Sequence, residues 1–170
     1  MGGVRIRRAH RKDVPQIVAL VESAYRGDSS RSGWTTEADL LDGQRTDPRE
    51  VESVLEHIVV AEDEGGALLG CCTLVPREGH AYFGMFAVRP GQQGGGVGSQ
   101  LLAKAERLAT EQELGYVEMT VISTRTELID YYVRRGYKDT GERRPFPYGD
   151  DRFGTPKRDD LDFTVLSKEL

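Results

Sequence analysis

Val88-Arg89-Pro90-Gly91-Gln92-Gln93-Gly94-Gly95-Gly96-Val97-Gly98-Ser99 is the stretch on which the fold turns. Residues 80–88 before it are apolar and aromatic and predict a strand. After it, Leu101, Leu102, Ala105, Leu108 and Ala109 recur at helical spacing, which predicts a helix starting near Gly98. A strand, a glycine-rich turn and a helix, in that order, offer backbone N–H groups and the positive end of a helix dipole to an anion. Glycines let the backbone approach a diphosphate closely. The stretch predicts a phosphate cradle.

Three kinds of cradle can be separated. No Lys follows Gly96 or Gly98, which argues against the G-x-x-x-x-G-K-[ST] loop of nucleoside triphosphate hydrolases. A G-x-G-x-x-G dinucleotide fingerprint is narrowly missed, because Ser99 stands where its third glycine belongs. Glu118 lies about twenty residues on, as the ribose-binding acid of that motif should, but it falls inside a predicted strand. Gln93-Gly94-Gly95-Gly96-Val97-Gly98 matches the pattern Q/R-x-x-G-x-G/A. With Val88-Arg89-Pro90 before it, the segment resembles the acyl-CoA loop of the GNAT N-acetyltransferase superfamily. A second segment, Tyr131-Tyr132-Val133-Arg134-Arg135-Gly136-Tyr137, is similar to that family's aromatic-Tyr-x-x-x-Gly-aromatic motif and follows in the family's order.

The bulk properties suit this resemblance and restrict the alternatives. The 170 residues are enough for one domain with a substantial core, taken as residues 1–170. A net charge of −5 with no basic stripe argues against nucleic acid as a partner and mildly favours a cationic acceptor. No apolar run approaches a membrane span and the first residues do not resemble a signal peptide, so no membrane partner is expected. Cys71 and Cys72 are adjacent in a predicted strand and point to opposite faces, which suits buried thiols and a cytoplasmic location. The three histidines show no metal-ligand spacing, and no metal is expected. A homodimer is admitted but not indicated.

Along the chain, residues 4–7 alternate as a half-buried strand, and Asp13 with Pro15 reads as a helix start before Val14, Ile17, Val18, Val21 and Tyr25. Residues 27–33 read as a loop, residues 36–41 as a short helix, and Asp47-Pro48 as the start of a helix running to about residue 55. Residues 58–61, 67–75 and 80–88 form an antiparallel meander of three strands, the first hairpin turning at Glu64-Gly65-Gly66. The helix after the glycine loop ends near Leu114, with Gly115 as its left-handed cap. Residues 116–122 are a strand reached by a helical crossover and so parallel to the preceding one. A short helix over 127–135, a strand to about 143, a loop over 144–157 and a closing strand over 161–168 complete the chain. The fold class is α/β (α+β): a mixed, mostly antiparallel six- or seven-stranded sheet with helices on both faces, which is also the element order of the GNAT fold.

The resemblance implies an acetyl-CoA-dependent N-acetyltransferase that passes the acetyl group directly to a primary amine in a ternary complex. It places the diphosphate on the N–H groups of Gln93, Gly94, Gly95, Gly96, Val97, Gly98 and Ser99. It assigns Phe86, Ala87 and Val88 to backbone pairing with the pantetheine arm, with the Phe86 N–H donating to the thioester oxygen. Tyr132 matches the general acid that protonates the departing thiolate, and Tyr131 is assigned to the core. Tyr82 stands where the histone-acetylating branch carries a Glu, so the base stays open between His80, Glu118 and a water relay. Arg125 replaces a cofactor-contacting Asn and could reach a phosphate or a substrate carboxylate. The acceptor pocket falls to residues 29–44 and 144–157, where Trp34, beside Glu37, offers an aromatic wall to a cationic amine. Two other readings stand beside this one: a CoA-binding regulatory module without turnover, and a dinucleotide-binding oxidoreductase.

Overall fold

The computed structural model describes residues 3–25, 41–42, 46–89, 96–145, 155–156 and 161–170. Its main sheet holds seven strands: β1 (Arg5–Arg8), β3 (Ile58–Glu62), β4 (Leu68–Pro76), β5 (Ala81–Val88), β6 (Tyr116–Ile122), β7 (Lys138–Pro145) and β9 (Asp162–Glu169). They lie in the order β1-β3-β4-β5-β6-β9-β7. All neighbours are antiparallel except β5 and β6, which are parallel, as a crossover through a helix requires. Two short strands, β2 (Leu41–Asp42) and β8 (Thr155–Pro156), pair with each other away from it.

Helices cover both faces. α1 (Val14–Tyr25) and α2 (Pro48–Ser53) enclose one core with Ile58, Val60, Cys71 and Ala87. On the other face α3 (Val97–Glu111) and α4 (Thr126–Val133) pack over Cys72, Phe83, Phe86 and Val117. The alternation of β4 thus sends its two cysteines to opposite cores, both fully buried and free. α3 buries Val97, Leu101, Leu102, Ala105, Leu108 and Ala109, the stripe its spacing predicts; burying a leucine there contributes about 2 kcal/mol.

Several local expectations are corrected. Asp13 does not cap α1; its carboxylate accepts from the His10 N–H at 2.7 Å and from Arg7 at 2.8 and 3.0 Å, closing a short 3-10 turn instead. Leu41 belongs to β2 rather than to a helix. α2 starts as expected, with Asp47 accepting from Glu50 N–H at 2.8 Å, but ends at Ser53. The left-handed residue beyond α3 is Glu113 (φ 59°), not Gly115, whose N–H instead bonds the Gly79 carbonyl at 2.9 Å. That bond ties the entry of β6 to the entry of β5.

Candidate active site

The site begins where β5 and β6 part. They pair at Ala81↔Val117 and Tyr82↔Glu118 and no further. Just beyond, β5 bulges against β4: Cys71 pairs with Ala87 and Thr73 with Gly84, so Met85 and Phe86 together oppose Cys72. Met85 takes φ 46°, a left-handed conformation rare for a side chain of its size. The extra residue shifts the strand's alternation. Ala81 and Phe83 face the α3–α4 core, then Phe86 and Val88 do, while Met85 and Ala87 turn to α1. A bulge bends its strand and increases its twist, so β5 leaves β6 behind and a cleft opens through the sheet.

That cleft holds a cavity of about 310 Å³. Glu50 and Val54 of α2 border it from one face, Leu128 and Tyr132 of α4 from the other, so it joins the two sides of the sheet. Phe86 lies on its wall and also touches the first turn of α3, where Gly98 leaves room for the ring. Gly96, the residue before that turn, takes φ 86°, a conformation for which glycine is suited. The Ser99 hydroxyl donates to the Gly96 carbonyl at 3.0 Å and tightens the turn. Gln93, Gly94 and Gly95 lie outside the described residues, as do Trp34 and Glu37.

The three tyrosines of the second motif separate by environment. Tyr137 is 1% exposed, and its hydroxyl donates to Glu106 Oε2 at 2.8 Å, while Lys168 Nζ donates to the same carboxylate at 3.1 and 3.2 Å. Burial and the Glu106 charge push its phenol far above the usual range. Tyr131 is half-buried under the Arg135 guanidinium, 3.5 Å from the ring centre, and burial raises its phenol too. Tyr132 is the one of the three that lines the cavity. Its ring is set edge-on to Phe83 (6.3 Å) and Tyr137 (5.9 Å) and tilted against Phe86 (6.1 Å), a packing that fixes where its hydroxyl points.

The candidate bases fall elsewhere. Glu118 is 9% exposed and faces neither open solvent nor the cavity wall. Arg144 of β7 donates to it at 3.1 Å, and His80 Nε2 stands 3.8 Å away. The hydrogen bonds to Glu142 and Glu118 raise the Arg144 guanidinium further above its ordinary value. His80 also stacks on Tyr116 at 4.8 Å, and its Nδ1 lies 3.1 Å from the Glu78 carbonyl. Tyr82 does line the cavity, its hydroxyl 2.6 Å from Thr120 Oγ1 across the parting strands. Arg125, 9% exposed, lines it from the loop before α4. Glu50, Thr73 and Thr120 are lining residues the sequence reading did not single out. Glu50 looked like an ordinary acid in a first helical turn, and the two threonines like ordinary strand residues.

The sequence matches the Acetyltransferase (GNAT) family over residues 16–137. The chain belongs to the GNAT acetyltransferase family. No curated protein matches it. Among solved structures, it resembles N-acetylglutamate synthase from Neisseria gonorrhoeae, complexed with coenzyme A and N-acetyl-glutamate (TM-score 0.69, 22% identity). That match covers 99% of this chain but 35% of the synthase, so the chain spans about a third of that enzyme. It also resembles ribosomal-protein-alanine N-acetyltransferase from Brucella melitensis (TM-score 0.72, 21% identity, 98% and 99% covered). A third is Rv2747 from Mycobacterium tuberculosis, in complex with CoA and NLQ (TM-score 0.67, 19% identity, 98% and 99% covered). The seven-stranded mixed sheet with helices on both faces is the GNAT fold.

Acyl-CoA fits the residues present. A cleft through the sheet, walled by Phe86, Met119 and Leu128, suits a long, neutral, mostly apolar arm, with the N-terminus of α3 in contact with the same wall.

Proposed function

We propose that this GNAT enzyme transfers the acetyl group of acetyl-CoA to a primary amine by direct attack within a ternary complex. The observation that carries the reading is the early parting of β5 from β6 at the Met85–Phe86 bulge, which opens a cavity from the face of α2 to Tyr132. Donor and acceptor can then meet in the middle of the sheet from opposite faces. Coenzyme A in the crystals of two similarly folded proteins supports the donor assignment.

In this reading the N–H groups at the start of α3, from Gly96 to Ser99 and from the preceding Gln93, Gly94 and Gly95, hold the diphosphate. Ala87 and Val88 offer backbone to the arm, and the Phe86 N–H donates to the thioester oxygen as charge develops there. The amine nitrogen attacks the carbonyl carbon and the C–S bond breaks. The Tyr132 hydroxyl gives its proton to the departing sulfur, a slightly uphill step in water for a phenol near pKa 10 and a thiol near about 8.5. The amine's own proton leaves toward water or the Glu50 carboxylate. At pH 7 an unperturbed alkylamine is neutral in only about one molecule in 2,500, so this removal matters. Neither Cys71 nor Cys72 serves as a nucleophile, being buried, and burial raises the Cys72 thiol. Residues 1–170 act as one catalytic domain, and the two free thiols support a reducing, cytoplasmic setting.

Release of free thiol from acetyl-CoA in the presence of an amine panel tests the reading. Tyr132→Phe should lower kcat about 10²-fold or more while leaving CoA binding unchanged. Turnover at the wild-type rate in that variant would remove Tyr132 from the mechanism. CoA binding without any thiol release in the wild type would instead identify a sensor.

A further inference from the structure

Two charged side chains line the cavity among the described residues, one of each sign. Glu50 reaches it from the first turn of α2, on the α1–α2 face of the sheet. Arg125 reaches it from the loop before α4, whose own residues pack on the opposite core. The rest of the wall is aliphatic or aromatic, relieved by the hydroxyls of Thr73, Tyr82, Thr120 and Tyr132.

A guanidinium 9% exposed beside the reacting centre has consequences for what can bind there. It repels an acceptor that brings only an ammonium, and in poorly hydrated surroundings that repulsion is strong. The same cation attracts an acceptor that carries an anion next to its amine. The pantetheine arm is uncharged where it passes through the cleft, so the donor supplies no anion at that point. A guanidinium has five N–H donors in a planar fork, so it can hold a protein partner and a carboxylate together. The positive charge also favours the neutral form of an amine held near it, which is the form that attacks.

We propose that the acceptor is a free α-amino acid. Its carboxylate is received by Arg125 and its amine is turned toward the Glu50 side of the cavity, beside the Tyr82–Thr120 hydroxyl pair. The wall's charge pattern, one anion and one cation on opposite sides, is complementary to a zwitterion and to neither a simple cation nor a simple anion. A peptide N-terminus lacks the adjacent carboxylate and does not satisfy Arg125. The inference rests on the acetyltransferase reading above and narrows its substrate class.

The experiment compares matched acceptors in the thiol-release assay with the full chain: the free amino acids, their carboxamides, the decarboxylated amines and short peptides. At least one amino acid should exceed its own carboxamide by about tenfold or more in kcat/KM, since the missing charge leaves a buried donor unanswered. Arg125→Gln should raise KM for that amino acid about tenfold and shrink its advantage over the carboxamide, with the KM for acetyl-CoA unchanged. Arg125→Lys should restore part of the discrimination. The wild-type panel decides independently of whether either variant folds. Equal use of the carboxamide or the decarboxylated amine overturns the proposal. So does a loss confined to acetyl-CoA affinity in Arg125→Gln, which would put this residue on the donor. An enzyme that binds CoA but releases no thiol with any amino acid also overturns it. Failure to bind CoA at all overturns the acetyltransferase reading itself and leaves a distinct signature.

Discussion

A Cβ placed on Gly98 would lie 2.9 Å from Phe86 Cζ and 3.0 Å from the Tyr131 hydroxyl oxygen. Neither neighbour can yield freely. Phe86 is 2% exposed in the core, and Tyr131 is clamped by Arg135. Gly98→Ala should therefore push the first turn of α3 off the wall of the cleft, costing about 1–3 kcal/mol by overpacking. Because the same turn is assigned to the diphosphate, CoA affinity should fall as well. Urea unfolding and a CoA titration read the two effects separately. Unchanged values in both would mean that the close approach at position 98 is not a requirement. The glycine was legible in the sequence as a phosphate-loop residue, but its contact with Phe86 was not, because the two are brought together only when α3 docks on β5.

At the scale of elements, α1 is anchored by charge as well as by its apolar face. Arg7 of β1 reaches Asp13, which precedes α1, at 2.8 Å and Glu62 of β3 at 3.1 Å. Asp13 is 2% exposed. Its hydrogen bonds from Arg7 hold its carboxyl below the usual carboxylate range. The unfolded chain thus binds that proton more tightly than the folded one. The pair's contribution is complete above about pH 5 and is lost as pH falls through the usual carboxylate range toward the folded-state value. Asp13→Asn should cost about 3 kcal/mol at pH 7, since it leaves Arg7 with one of its two carboxylates in a half-buried place. The gap between wild type and variant should close below about pH 4. Urea midpoints from pH 7 to pH 3 measure it, and a gap independent of pH would mean that the ion pair is not its source. The elements themselves were readable, because periods of two and 3.6 residues and the Asp47-Pro48 start are local signals. Asp13 was misread as a cap because its partners, Arg7 and Glu62, arrive from other strands. Glu118 was misread in the same way, since Arg144 lies 26 residues further along the chain.

For the molecule as a whole, the order of strands and the parallel crossover followed from the sequence, whereas the makeup of the cavity did not. Glu50, Tyr82, Thr120, Arg125 and Tyr132 come from five separate elements or loops and meet only because β5 departs from β6. Met85 carries no sign of its left-handed backbone in its side chain. A cleft built by parting two central strands leaves the middle of the sheet less well paired than its flanks, and an occupant that fills the gap links β5 to β6 and α3 to α4. Such an occupant binds the folded chain alone and must raise its stability by mass action. At about one hundred times its Kd, CoA should add about 2.7 kcal/mol, which for a chain of this size is about 5–10 °C in Tm. NAD or NADP at the same concentration should leave the transition in place. A shift with the dinucleotides and none with CoA would move the glycine loop from the acetyltransferase reading to the oxidoreductase one. The same scan on Gly98→Ala should return a smaller CoA shift than wild type, because the turn that meets the diphosphate is displaced while the cleft between β5 and β6 is still open.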